Sequence, residues 1–171
     1  PSTNSIANIR CMKTHYLGAE NGVTGSCHLV QGDGLNLMVD CGLVQGGDRA
    51  VPPIDWPIQP DEVDVLFLTH AHIDHIGRLP WLIDKGFRGD IICTHPTRAL
   101  LKPMLQDAMG IAGIGREKAK RLWERIDAQA WGFEYGETFE LHQGWRFRLG
   151  RAGHILGSCW VRLTARSGES V

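Results

Sequence analysis

The stretch Thr69-His70-Ala71-His72-Ile73-Asp74-His75-Ile76-Gly77-Arg78-Leu79-Pro80 decides the fold. It follows directly on Val63–Leu68, VDVLFL, a nearly continuous apolar run of the kind a strand buried on both faces needs. His70, His72, Asp74 and His75 lie within six residues of one another. A turn leaving the end of a buried strand can bring four such side chains to one point. Imidazole and carboxylate are the donors that suit zinc and similar divalent ions. Two histidines separated by one residue can share an ion, leaving the aspartate and the third histidine to turn to a second ion beside it. The competing reading is a surface turn that happens to be rich in histidine.

A second element supports the first. In Ala152-Gly153-His154-Ile155-Leu156-Gly157-Ser158 a histidine lies between glycines, after the expected strand 144–150. A lone histidine is more often structural. Beside a three-histidine cluster, His154 becomes the natural third ligand of the first ion. Together these segments hold four of the eight histidines. Asp40 ends the expected strand Leu35–Asp40. A carboxylate there orients a ligating histidine through its free N–H, unless it is an ordinary turn aspartate.

Outward from this centre, the first 70 residues read as β structure with glycine-rich turns. Strands are expected over Ile9–Leu17, Ser26–Val30 and Leu35–Asp40, with Gln31-Gly32-Asp33-Gly34 as a hairpin turn. The four prolines between Val51 and Pro60 predict an extended loop. Leu79–Lys85 reads as a short helix stopped by Gly86, and Asp90–Thr94 as another buried strand. Thr97 is the expected cap of a helix reaching Met109, kinked at Pro103. In Arg116–Ala130, residues Ala119, Leu122, Trp123, Ile126 and Ala130 form one apolar stripe, and Lys118, Arg121, Glu124 and Arg125 form the solvated face. Two more strands are expected over 144–150 and 159–165. Strands alternating with helices predict a layered α/β fold.

Composition narrows the function classes. The chain has 171 residues, one domain on the usual scale, and a net charge of −1. That balance excludes a strongly basic nucleic-acid wrap and an acidic disordered tail, but leaves room for a local basic groove. At 43% hydrophobic residues the chain can fill a core. No apolar run reaches the ~18 residues of a membrane span, and Pro1–Arg10 lacks the apolar core of a secretory leader. Neither a membrane partner nor secretion is therefore expected. Cys11, Cys27, Cys41, Cys93 and Cys159 are widely spaced and odd in number, which argues against a disulfide framework and for a reducing, cytoplasmic setting. Arg146, Arg148 and Arg151 form a basic group near His154, and the six tryptophans read as core residues.

The motif His70-Ala71-His72-Ile73-Asp74-His75 resembles the signature of the metallo-β-lactamase fold hydrolases. More specifically, Leu17-Gly18-Ala19, Val23-Thr24-Gly25-Ser26, Asp40-Cys41-Gly42, Gly77-Arg78-Leu79-Pro80 and Ala152–Ser158, in that order, are similar to the β-CASP branch of RNA-processing nucleases. The resemblance implies an αββα sandwich with a mixed sheet and flanking helices, of which residues 1–171 are the amino-terminal part. The β-CASP domain and the carboxy-terminal half would then lie outside this chain. By the same resemblance His70, His72 and His154 hold one zinc, Asp74 and His75 belong to a second, Asp40 supports the site and Asp74 has a catalytic role. The aspartate that bridges both ions in the family has no counterpart before Val171. His15, His28, His95 and His142 match no family ligand position and are read as structural or surface residues, with His95 nearest to a site by its strand-end position.

The implied activity is zinc-dependent cleavage of RNA phosphodiesters by two-metal chemistry. Two other readings stand beside it: a small-molecule metallohydrolase, such as a glyoxalase-II-like thioesterase or lactonase, and an inactive metal-binding module. RNA is the expected partner, with a homodimer as a candidate assembly.

Overall fold

The computed structural model describes residues 12–171. Cys11 and the start of the expected Ile9–Leu17 strand lie outside the described residues.

Six strands form one mixed sheet: β1 (Lys13–Gly18), β2 (Cys27–Gly32), β3 (Leu35–Val39), β4 (Val65–Phe67), β5 (Asp90–Thr94) and β6 (Ala130–Phe133), in that spatial order. β1, β2 and β3 are antiparallel, and β3 through β6 are parallel. The β2–β3 hairpin turns at Asp33 and Gly34, with φ of 42° and 81°. Two positive φ values in succession match the right-handed twist of the paired strands, which is why an Asp-Gly pair serves there. The second sheet contains β7 (Thr138–Glu140), β8 (Arg146–Arg151) and β9 (Cys159–Thr164), all antiparallel.

Four helices complete the described elements: α1 (Ile73–Ile76), α2 (Leu79–Asp84), α3 (His95–Ile111) and α4 (Arg116–Gln129). β4 explains the layering. Val65 and Phe67 point into a core between the two sheets, where they meet Trp145, Phe147, Leu149 and Leu163. Leu66 and Leu68 point the other way, onto Leu79, Leu82, Leu101, Leu105, Leu122 and Ile126 of the helices. A strand covered on both faces has no polar alternation to display. Among the described residues no helical residue contributes to the inter-sheet core. The described residues therefore build three layers, helix, sheet and sheet, of the expected αββα sandwich. Arg146 and Arg148 are exposed on the outward face of the smaller sheet.

Several local expectations are corrected. Thr94, not Thr97, caps α3: its hydroxyl accepts from the Thr97 N–H. The helix starts early because Pro96, which has no N–H to satisfy, fits the first turn. α3 runs continuously through Pro103. The proline-rich loop contains two three-residue 3-10 turns, Pro53–Asp55 and Pro60–Glu62, each opened by proline. Ala130 leaves α4 and begins β6, held by the Arg98 Nε–H donating to its carbonyl at 2.8 Å. β6 and β7 are too short, and β6 too continuous with α4, to show in the sequence. The charged face of α4 is partly engaged: Lys118 pairs with Asp84 at 2.8 Å, and Arg125 donates to the Phe87 carbonyl. Trp145 and Trp56 are core residues, but Trp131 and Trp160 are exposed. Among the described residues no helix is long and apolar enough to cross a membrane.

Candidate metal centre

The site lies beyond the carboxyl ends of the parallel strands, the usual place for a ligand in an open α/β sheet. β4 ends at Phe67, and the chain turns through Thr69–His72 into α1. Backbone hydrogen bonds hold this turn against the ends of two neighbouring segments. Ser26 N–H donates to Asp74 O, Cys41 N–H to His75 O, Leu43 N–H to Ile73 O and Arg78 N–H to Cys41 O, all between 2.8 and 3.0 Å. Gly42 permits the approach, since a Cβ there would fall 1.6 Å from Asp74 O.

Three imidazoles converge. His72 Nδ1 lies 3.1 Å from His70 Nε2 and 3.0 Å from His154 Nε2. Among the described residues, this is the histidine, cysteine and carboxylate group whose donor atoms all lie within 4.8 Å of one another. A neutral His72 Nδ1 can donate at most one hydrogen bond, so hydrogen bonding alone does not account for both contacts. A tetrahedral ion with Zn–N bonds of ~2.0–2.1 Å sets its nitrogens about 3.3 Å apart. The two separations from His72 Nδ1 are close to that value, and all three nitrogens lie within 4.8 Å of one another.

The surroundings favour the neutral, metal-binding form of His70. Burial, followed by the neighbouring His75, pushes the His70 pKa down to about 4 against the opposing pull of Asp40. Thr69 Oγ1 contacts His70 Nδ1 at 3.1 Å, leaving Nε2 for the cluster. Exposure rises across the group, from buried His70 through half-buried His72 to exposed His154.

Asp40 sits beneath the turn, 2% exposed and at φ 60°. Its carboxylate accepts from Thr69 N–H at 2.8 Å, Ser26 Oγ–H at 3.0 Å, Thr69 Oγ1–H and His75 Nδ1–H at 2.7 Å. Asp40 thus fixes His75, not the three converging rings. Burial opposes charge on His75, but the Asp40 hydrogen bond and charge, with Asp74 adding to them, outweigh it and raise the pKa. With Nδ1 committed to Asp40, His75 Nε2 faces Asp74 Oδ2 at 3.6 Å. Both side chains are about one-fifth exposed, and the His75 ring centre lies 3.9 Å from that of His70. Asp74 and His75 therefore lie side by side, next to His70.

The loop carrying His154 arrives from the other sheet. Thr94 and Thr97 hydroxyls both donate to Gly157 O, at 2.7 and 3.0 Å, and Cys159 N–H donates to Thr69 O. A Cβ on Gly157 would meet Thr97 at 2.6 Å, whereas one on Gly153 would meet nothing within 4 Å. Thr69 and Ser26 stand in the quoted motifs without an assigned role, and Thr94 and Thr97 lie outside them. Thr94, at the end of β5, carries the signal of a hydroxyl residue at a strand end. Of the remaining histidines, His28 packs edge-on against Tyr16 with its Nε2 3.5 Å from Ser26 Oγ, and His95 lies 3.8 Å from Glu134.

A family model described as "Metallo-beta-lactamase superfamily" matches residues 21–163. The chain is 37% identical over 153 residues to "Ribonuclease TTHA0252" of Thermus thermophilus, an alignment that covers 88% of this chain and 34% of the relative. It is 39% identical over 150 residues to "Cleavage and polyadenylation specificity factor 73" of Drosophila melanogaster, covering 83% of this chain and 21% of the relative. The chain thus spans about a third or less of these relatives. The solved structure of the metallo-beta-lactamase fold protein YhfI from Bacillus subtilis superposes with a TM-score of 0.58 at 18% identity, over 94% of this chain and 61% of that one.

Proposed function

From the premise that the chain belongs to the metallo-beta-lactamase superfamily, we propose that it carries the metal-binding part of a zinc-dependent ribonuclease. The observation that carries this reading is the convergence of two imidazole nitrogens on His72 Nδ1, in a chain whose relatives are named as a ribonuclease and a cleavage factor. His70, His72 and His154 hold one zinc, and Asp74 and His75 offer donors to a second. Such ions supply Lewis acidity toward a phosphoryl oxygen and acidify water.

The chain's own residues hold that geometry and manage protons. Asp40 keeps the His75 proton on Nδ1, so that Nε2 presents a lone pair. Asp74, about one-fifth exposed, offers Oδ2 as a proton acceptor. Thr69 steadies His70 and Asp40 together. The rest of the catalytic domain, including the bridging carboxylate, belongs on this reading to a longer protein. The short share of each relative that is matched supports this. Cys27, Cys41, Cys93 and Cys159 are free and buried, which supports a reducing, cytoplasmic setting.

The test is cleavage of end-labelled single-stranded RNA by the full-length, zinc-loaded protein, with metal counted by mass spectrometry. RNA is cut in the presence of two ions per protein, and His72→Ala loses metal and more than 100-fold in rate. Intact RNA together with hydrolysis of a thioester or lactone favours the small-molecule reading instead. One ion or none, with no hydrolysis of any of these substrates, favours the inactive module.

A further inference from the structure

The loop that brings His154 to the metal centre has a second side. Gly153 and Ile155, its immediate neighbours, line a pocket of about 530 Å³ with His95, Phe133, Tyr135, Arg151 and Leu156. Consecutive Cα atoms are about 3.8 Å apart, so the pocket begins one residue from a metal-centre histidine. It lies at the carboxyl ends of β5, β6 and β8, on the same side of the sheets as the three converging rings.

The pocket's chemistry is specific. Strand alternation separates the three arginines of β8: Arg146 and Arg148 point outward, whereas Arg151 lies on the inward side with Phe147 and Leu149. At the strand end, past the packed core, Arg151 is exposed and its guanidinium lies 4.6 Å from the centre of the Tyr135 ring. Tyr135 is itself fixed, its hydroxyl donating to Ser158 O at 3.3 Å. Among the described residues no carboxylate lies within 4 Å of Arg151, and the one acid lining the pocket, Glu134, pairs with His95. The ring therefore positions a cation whose N–H fork is free for a planar or tetrahedral anion. Phe133, Ile155 and Leu156 give the wall its apolar part, and Leu156 is left 76% exposed at the rim.

We infer that this pocket holds the RNA nucleotide next to the scissile phosphate, with Arg151 binding that nucleotide's own phosphate and Phe133, Ile155 and Leu156 against its base. The inference rests on the nuclease reading above. An aromatic and aliphatic wall beside a free arginine suits a single-stranded nucleotide, which offers a flat face and a charged oxygen cluster together. Arg151 is a positioning residue on this account and takes no part in bond breaking.

The experiment compares wild type, Arg151→Ala and Arg151→Lys in the full-length, zinc-loaded protein. The substrates are a single-stranded RNA oligonucleotide and bis(p-nitrophenyl) phosphate, which carries no neighbouring nucleotide. Arg151→Ala raises KM for RNA about tenfold and leaves kcat within about twofold, as loss of one charge-assisted contact predicts. It also lowers the slope of log KM against log salt by about 0.7, the value of one single-strand phosphate contact. Lysine at this position restores the slope, and hydrolysis of the small diester is unchanged for all three proteins. An unchanged RNA KM and salt slope overturns the inference while leaving the nuclease reading intact. A wild-type protein that hydrolyses the small diester but not RNA overturns both. Equal losses on both substrates assign Arg151 to the integrity of the metal centre and also overturn the inference.

Discussion

The two loops that form the metal centre are built by opposite means. The turn after β4 is locked by four backbone hydrogen bonds to the segments around Ser26 and Cys41 and by a buried aspartate, and it carries buried His70. The loop after β8 hangs mainly on one carbonyl, Gly157 O, gripped by two threonine hydroxyls, and it carries exposed His154. Rigid donors are cheapest to hold where backbone can be paired with backbone. A donor that crosses from the second sheet has one backbone bond to the first loop, Cys159 N–H to Thr69 O, and otherwise side-chain anchors. The first loop therefore fixes the position of the cluster, and the second closes it from the exposed side.

This contrast can be broken most severely at Gly42. Gly42→Ala places a methyl group inside the Asp74 carbonyl contact, so the turn must move or unfold. The expected loss is about 3 kcal/mol or more, read by chemical denaturation, with metal binding lost in parallel. Asp40→Asn comes next. It removes the anion that four donors share and costs about 1–3 kcal/mol of stability. Metal affinity falls by about 10- to 100-fold, measured by competition with a chromophoric chelator. The weaker loop gives a smaller effect. Thr97→Val leaves Thr94 still donating to Gly157 O, so the expected cost is about 1 kcal/mol, with the His154 resonance broadened in NMR spectra of the metal-loaded protein. Gly153→Ala meets no atom within 4 Å. It should change stability by less than about 0.5 kcal/mol, and a thermal melt showing a large loss there would mean that the second loop is packed as tightly as the first.

The glycines show how far sequence reading reaches into these loops. Gly18, Gly25, Gly42, Gly77, Gly153 and Gly157 all stand in motif turns and invite one explanation, close passage of backbone. Five of them have it: an added Cβ would meet a neighbour at 2.7 Å or less. Gly153 does not, because a residue in an open loop and a residue against a carbonyl look the same in one dimension. Asp40 is similar. Its type and strand-end position are legible, but its partner among the histidines depends on a ring orientation that only packing decides.

Periodicity and residue chemistry were sufficient for the buried strand that includes 65–67, for the α4 stripe and for the grouping of His70, His72 and His154, because each is written in residue types and their order along the chain. The tertiary structure alone decided which ring nitrogens face one another, that Asp40 holds His75 and that Thr94 caps α3. All three depend on contacts between residues distant in sequence or on a side chain's direction at the end of an element. Composition and spacing carry no information about either. The direction of a side chain is settled only when a second element closes over it, and in this protein that element is the smaller sheet with its loop at 152–158.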